Sequence, residues 1–146
     1  MTRERQLIDA VHRLLPVTIH RQSMTFGSLS QNGTPDYYYD MDTDIQFKRP
    51  DLWVEYKQLS AMPRSGLVGG VDAKKKGCYS PLQFKWMERR YNNCLPHLSN
   101  VIGIVGLPNR TAVIQLTPTA WCKGSPVSEA RPLKEIALWI CEWCGG

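Results

Sequence analysis

The segment VIGIVGL, residues 101–107, is an unbroken run of apolar residues and constrains the fold more than any other feature of the chain. A short apolar run bounded by turn residues is typical of a β-strand that is covered on both of its faces. Such a strand needs a packed layer on each side of its sheet. The segment therefore predicts a sheet enclosed between two layers of helices.

The periodicity of the remaining chain predicts those helices and the other strands. Apolar residues at helical spacing predict helices over residues 3–15 and 133–141. Ser80 as the N-cap and Pro81 as the first helical residue predict a helix over residues 80–93. Alternating or apolar segments predict further strands over residues 17–26, 36–40, 51–59 and 111–118. The predicted order is αβββαββα. We expect one α/β domain over residues 1–146, with a mixed β-sheet flanked by helices and an extra C-terminal helix.

The strand predicted over residues 51–59, DLWVEYKQL, carries two charged side chains among apolar ones. Because side chains alternate between the two faces of a strand, its residues divide into two sets. One set is predicted to face a core: Leu52, Val54 and Tyr56. The other set is predicted to point away from the packed layer: Trp53, Glu55 and Lys57. Taken alone, a half-exposed strand with an ion pair explains this pattern better than a functional site does.

A second carboxylate lies upstream, in the segment GTPDYYYD. Gly33 and Pro35 predict a turn that places Asp36 at the start of a strand. Carboxylates on two neighbouring strands can converge on a hard divalent cation such as Mg²⁺, whose other ligands are water and phosphate oxygens. A lysine on the same face can orient a water molecule, so Asp36, Glu55 and Lys57 together suit phosphodiester hydrolysis.

These residues resemble the PD-(D/E)XK nuclease superfamily and, within it, the small stand-alone VRR-NUC nucleases. Pro35 and Asp36 match the PD element, and Glu55 to Lys57 match the E-x-K element. Gln83, in SPLQFKW, matches the glutamine that this family places at the start of the next helix. The resemblance covers about residues 4–107 and implies a restriction-endonuclease-like core. It also implies that Asp36, Glu55 and the carbonyl of Tyr56 bind Mg²⁺, or Mn²⁺ in its place.

The resemblance further implies catalytic roles for three side chains. Lys57 would position the attacking water, and Gln83 and Glu4 would assist it. A purely structural role is open to several of these residues as well. Gln83 lies three residues after Ser80 and could complete a capping box, while Glu4 could stabilise the dipole of its helix. Asp36 could likewise serve as a turn residue.

The chain is basic, with 18 Lys and Arg residues against 13 Asp and Glu residues and a net charge of +5. This excess favours a polyanionic partner such as DNA. A loop rich in glycine and lysine is predicted over residues 66–77. This loop and the helix after it hold the candidate phosphate contacts, which are Lys74, Lys75, Lys76 and Lys85. A solvated run of charges is the other interpretation of that loop.

We expect no disulfide framework among the five cysteines, because their number is odd and the N-terminus carries no long apolar segment of the kind that directs secretion. No apolar run is long enough to cross a membrane, and we expect a cytoplasmic protein. The segment CEWC holds Cys141 and Cys144 at the spacing of a metal or redox pair, without a second such pair. Packing of two reduced thiols on a terminal helix is the simpler interpretation.

Together these features predict a Mg²⁺-dependent DNA endonuclease, and the resemblance implies selectivity for branched DNA such as four-way junctions. A resolvase cuts two strands symmetrically, so we expect a homodimer, with Trp139 and Trp143 as candidate contacts. Two alternatives remain. One is an inactive nucleic-acid-binding protein of the same fold, with exposed aromatic residues that stack on bases: Tyr37, Tyr38, Tyr39 and Trp53. The other is a small sequence-specific restriction-type endonuclease.

Overall fold

In the computed structural model, which describes residues 3–23, 35–41, 52–70, 79–93 and 100–145, a six-stranded sheet lies between two layers of helices. The strands are β1 (Ile19–Ser23), β2 (Tyr37–Met41), β3 (Leu52–Gln58), β4 (Leu67–Val68), β5 (Val101–Gly106), β6 (Thr111–Gln115), β7 (Ser125–Pro126) and β8 (Arg131–Pro132). The helices are α1 (Arg3–Leu14), α2 (Pro81–Asn92), α3 (Pro118–Lys123) and α4 (Leu133–Trp143), with a 3-10 helix at Val127–Glu129.

The strand order in the main sheet is β1-β2-β3-β5-β6-β8. Strands β3 and β5 are parallel, and each other neighbouring pair is antiparallel. A parallel pair needs a long crossover connection, which here contains α2. Strands β4 and β7 form a separate two-stranded ladder. The main sheet is therefore mixed, as predicted.

Strand β5 is buried along its whole length. Ile102 and Ile104 pack on one face with α1 and α4, whereas Val101 and Val105 pack on the other face with α2 and α3. Each face of the sheet thus has its own hydrophobic core. The first core lies against α1 and α4, and the second core lies against α2 and α3. The prediction that this strand is covered on both faces is confirmed.

Helix α2 begins where the sequence predicts. The Ser80 hydroxyl accepts a hydrogen bond from the Gln83 N–H at 3.1 Å, and the Gln83 side chain accepts one from the Ser80 N–H at 3.0 Å. Pro81 occupies the first turn, where its missing N–H is not needed. Just before this cap, Tyr79 packs on β5 at Gly103. Glycine is needed there, because a Cβ atom at residue 103 would overlap the Tyr79 side chain. These contacts fix the start of α2 over the sheet and so position Gln83.

A chain of polar side chains crosses the core between α1 and the sheet. His12 Nε2 lies 2.8 Å from the Tyr39 hydroxyl, which lies 2.6 Å from the Tyr56 hydroxyl. Burial, followed by the charge of Arg21, lowers the pKa of His12 to about 4, so the imidazole is neutral at pH 7. Burial raises the pKa of both tyrosines, which therefore keep their protons. Hydrogen bonds between neutral groups thus satisfy these buried atoms and hold α1 against β2 and β3.

Helix α4 packs its apolar face against α1 and the first core. Trp143 is only 8% exposed, so little of its side chain is available for the predicted dimer contact, and the homodimer stays a prediction. Trp139 is half-buried against the same core, because it shares a helical face with Trp143. Cys144 lies in that core and Cys141 packs against it. No helix in the described parts of the chain has both the length and the apolar character that crossing a membrane requires.

Several short elements are not predicted by the sequence pattern: α3, β4, β7 and β8. A strand of two residues offers no alternation to detect, and β7 and β8 each contain a proline. The loop predicted over residues 66–77 is wrong at its start, since Leu67 and Val68 pair with β7. Strand β1 begins at Ile19 rather than at residue 17. Residues 24–34, 42–50 and 71–78 lie outside the described residues, and they include the end of the first predicted strand, Gly33 of the predicted turn and most of the predicted glycine- and lysine-rich loop.

Candidate active site

The second half of β3 has one open edge. Strand β2 pairs with β3 only through Tyr37–Tyr39, which lie opposite Leu52–Val54. From Glu55 to Gln58, β3 pairs with β5 on one side and with no described strand on the other. A depression of about 320 Å³ lies at this edge. Its lining residues are Glu4, Arg5, Ile8, Asp36, Tyr37, Glu55, Tyr56, Lys57 and Gln83.

Helices α1 and α2 reach this edge from opposite faces of the sheet. Glu4 and Gln83 line the same depression because no strand separates them at that point. The structure therefore brings together the five side chains that the sequence singles out for catalysis: Glu4, Asp36, Glu55, Lys57 and Gln83.

Two reciprocal hydrogen bonds join Asp36 to β3. The Asp36 N–H donates to Glu55 Oε2 at 3.1 Å, and Asp36 Oδ2 accepts from the Tyr56 N–H at 3.0 Å. These bonds take the place of the strand pairing that β2 no longer provides here. They hold the two carboxyl groups side by side, and Asp36 Oδ1 accepts no hydrogen bond from the described residues.

Glu55 is buried, with 1% of its surface exposed. The prediction that its face of β3 points away from the packed layer is wrong, because the second core and α2 cover that face. Glu55 Oε1 accepts a hydrogen bond from Gln83 Nε2 at 2.6 Å, and Lys57 Nζ lies 3.4 Å from the same oxygen. Donors from the main chain, from α2 and from β3 itself thus hold the carboxyl group in place.

Both carboxyl groups of the pair resist ionisation. Burial, followed by the charge of Asp36, raises the pKa of Glu55 to about 8, against the opposing effect of Lys57. Burial likewise raises the pKa of Asp36 above its usual range. A buried and a partly buried carboxylate beside a single ammonium group form an arrangement that a divalent cation would stabilise.

The main chain of Tyr56 offers a third oxygen at this edge. Its N–H donates to Asp36, and in an extended strand the N–H and C=O of one residue point to the same side. The Tyr56 carbonyl therefore points to the open edge of β3. Two carboxylates and a carbonyl oxygen are ligands that suit Mg²⁺. Within the described residues, no group of three or more His, Cys, Asp or Glu side chains could hold a metal ion, so the carbonyl and water would complete its coordination.

Glu4 lies at the rim of the depression and is partly buried. Its charge is one of the influences that raise the pKa of Asp36. Arg5 and Tyr37 also line the depression, and the sequence prediction gives neither of them a role in catalysis although each directly follows a predicted site residue. Arg5 Nη1 donates to the Tyr37 hydroxyl at 2.8 Å, which links α1 to β2 at the edge of the site.

Of the four predicted phosphate contacts, the structure describes Lys85. Lys85 is exposed on α2 and is not among the lining residues. The other three candidates, Lys74, Lys75 and Lys76, lie outside the described residues. Their roles stay predictions.

The aromatic residues near the site belong to the packed interior. Tyr37 and Tyr39 are 5% and 0% exposed, so neither is available to stack on a base. Trp53 packs between Tyr38 and Trp86, with ring centroids 5.0 and 5.3 Å apart. Packing in this aromatic cluster explains why Trp53, an apolar residue, lies on the same face of β3 as Glu55.

Comparison with solved structures finds a similar chain. No protein-family model matches the sequence, and no curated protein matches it. The structure resembles that of Archaeoglobus fulgidus Hjc, a Holliday junction resolvase from an archaeal hyperthermophile, with a TM-score of 0.51. The chain has a resolvase-like fold. The likeness covers 94% of this chain and 97% of the resolvase at 12% sequence identity, and it confirms the predicted restriction-endonuclease-like fold class.

The raised pKa of Glu55 makes the stability of the metal-free protein depend on pH. The folded pKa is about 8, against 4.5 for an ordinary Glu, so the contribution of this carboxyl is fully present below pH 4.5 and is lost as pH rises through 8. We expect the free energy of unfolding of Glu55→Gln, relative to wild type, to rise by roughly 2–4 kcal/mol between pH 5 and pH 9. Denaturant unfolding in EDTA measures this difference.

His12 titrates in the opposite sense, because its lowered pKa of about 4 removes stability as pH falls from 6.5. That effect is common to both proteins and cancels in the difference. Glu142→Gln removes an exposed carboxyl on α4 and is the charge-matched control. Stability curves of wild type and Glu55→Gln that run parallel over the whole range would contradict this account of Glu55.

Proposed function

We propose that this protein is a metal-dependent endonuclease that hydrolyses phosphodiester bonds in DNA. The observation that carries the proposal is the pair of buried Glu55 and partly buried Asp36, held beside Lys57 at the open edge of β3. A carboxyl pair with raised pKa values weakens a fold unless a ligand compensates it, and such pairs cluster at functional sites. A site that binds nucleic acid without cutting it has no use for carboxylates beside phosphates.

Asp36, Glu55 and the Tyr56 carbonyl would hold the Mg²⁺ ion, and Mn²⁺ could substitute for it. When bound, the cation would polarise the phosphate and stabilise the charge that develops on its oxygens. The reciprocal hydrogen bonds between Asp36 and β3 would keep both carboxylates in place before substrate arrives.

Lys57 would orient the attacking water, since its ammonium group already lies 3.4 Å from a Glu55 oxygen and its side chain is 22% exposed. Gln83 would keep Glu55 in the orientation that leaves Asp36 Oδ1 accessible. Glu4, at the rim, would assist by holding solvent or a cation near the carboxyl pair. Each of these groups would act through position more than through proton transfer of its own.

The similarity to a Holliday junction resolvase supports branched DNA, such as a four-way junction, as the preferred substrate. A junction has two strands to cut symmetrically, so a homodimer would be the active form. Membership of the VRR-NUC group remains a prediction from the PD, E-x-K and Gln83 residues.

The test incubates purified protein with a synthetic four-way junction and with linear duplex DNA, in Mg²⁺, Mn²⁺ or EDTA. We expect metal-dependent cleavage that favours the junction and falls roughly 100-fold or more in Asp36→Ala and Lys57→Ala. Glu142→Gln and Lys134→Ala, both exposed on α4, are the matched controls. Undiminished cleavage by Asp36→Ala or Lys57→Ala would refute the catalytic roles of these two residues, and binding without cleavage would favour the inactive nucleic-acid-binding alternative.

Two substitutions separate the structural and catalytic tasks of Gln83. Glutamate completes a capping box as well as glutamine does, but it cannot donate to Glu55. We therefore expect Gln83→Glu to keep α2 intact by circular dichroism while cleavage falls roughly 10-fold or more. Ser80→Ala should show the reverse, with stability lower by about 1 kcal/mol and cleavage retained. Equal losses of cleavage in both variants would assign Gln83 to capping alone.

A further inference from the structure

A second and larger depression, of about 550 Å³, lies beyond the end of β3. Its walls are α1, the turn that joins β5 to β6, and the start of α4. It adjoins the site described above along two elements. On β3, Lys57 lines the first depression and Gln58 the second; on α1, Glu4 lines the first and Arg3 the second. We refer to this second depression as the arginine cavity.

Three arginines line the arginine cavity: Arg3, Arg13 and Arg110. Over the described ranges of the chain, their guanidinium groups make no ion pair and no hydrogen bond. The carboxylate in the lining, Asp9, lies 3.3 Å from Arg5 Nε and is already paired. The cavity thus presents unpaired cations whose planar arrays of donors match the oxygens of a phosphate.

Arg110 occupies a backbone conformation that side chains rarely adopt, with φ of 62°. The Leu107 carbonyl accepts a hydrogen bond from the Arg110 N–H at 3.3 Å, which makes Leu107–Arg110 a turn with Pro108 at its second position. In a hairpin of this kind the residue that ends the turn has a positive φ angle, and glycine is the usual residue at that position. An arginine held there against the backbone preference points to a use for its side chain, because such strain collects at binding sites.

We infer that the arginine cavity is a phosphate subsite that binds a phosphodiester group of the DNA strand beyond the point of cleavage. The inference rests on the proposed function, because it takes the strand to pass Lys57 at the open edge of β3. From Lys57 to Ser60, which lines the cavity, the chain spans at most about 10 Å. Neighbouring nucleotides of one strand can therefore occupy both sites. Contacts to the backbone position the strand without reading its sequence.

Arg110→Gly is the sharpest test, because glycine suits the left-handed backbone while the guanidinium is removed. We expect a melting temperature equal to or above that of wild type, with DNA affinity about 10-fold weaker. The slope of log affinity against log salt should become shallower by about 1 unit, as expected for one lost phosphate contact. Fluorescence anisotropy with labelled junction and duplex DNA in EDTA measures both quantities without cleavage.

Arg13→Gln, on an exposed position of α1, is a second variant with the same expected loss of affinity and slope. Lys123→Gln removes one positive charge from α3, on the other face of the sheet. It should leave the DNA affinity within about twofold of wild type and the salt slope unchanged. In Mg²⁺, Arg110→Gly should raise the half-saturating DNA concentration while the cleavage rate at saturation is retained.

The outcomes separate this inference from the proposed function. Wild-type protein that binds and cuts DNA, with affinity and salt slope unchanged in Arg110→Gly and Arg13→Gln, would overturn the phosphate subsite alone. Equal losses in Lys123→Gln would also overturn it, because they would reflect net charge rather than a local contact. Wild-type protein that binds neither the junction nor the duplex DNA would overturn both the phosphate subsite and the proposed function.

Discussion

Strand β2 begins at Tyr37, opposite Val54, and therefore leaves β3 without a described partner strand on that side from Glu55 onward. The whole site depends on this short pairing. Beyond it, β3 presents backbone groups that a neighbouring strand would otherwise satisfy. Asp36 accepts from the Tyr56 N–H at 3.0 Å and so replaces one strand contact with a carboxylate. The remaining gap lets α1 and α2 approach from opposite faces of the sheet. A longer β2 would separate Glu4 from Gln83 and close the depression between them.

Burial determines the chemistry of Glu55. Its carboxyl group is 1% exposed and lies beside a second carboxyl group, so it does not ionise readily. Its pKa of about 8 reflects this cost of ionisation. Lys57 and the amide of Gln83 compensate the charge in part. Apolar side chains at these positions would stabilise the fold better than two carboxyl groups do. The arrangement therefore suits the binding of a cation and an anionic substrate better than it suits the stability of the fold.

Local geometry could be predicted from the sequence, whereas burial from distant elements could not. Alternation along β3 groups its residues by face correctly, and the Ser80 capping box correctly predicts the start of α2, because both depend on neighbouring residues. The burial of Glu55 requires α2 to fold back over the sheet, which no local pattern records. The Thr117–Pro118 cap of α3 is visible in the sequence, but it lies at the end of the strand predicted over residues 111–118. The arginine cavity joins residues from α1, the end of β3, the turn between β5 and β6, and the start of α4, so the net charge of the sequence could not reveal it.

The central claim is that Asp36 and Glu55 form one cation site, and calorimetric titration with Mg²⁺ tests it most directly. Because the pKa of Glu55 is about 8, binding at pH 7 should release close to one proton, counted from buffers of different ionisation enthalpy. At pH 9 the release should fall toward zero. Asp36→Ala should abolish the binding. Mg²⁺ binding with no proton release at pH 7, or with undiminished affinity in Asp36→Ala, would contradict the account.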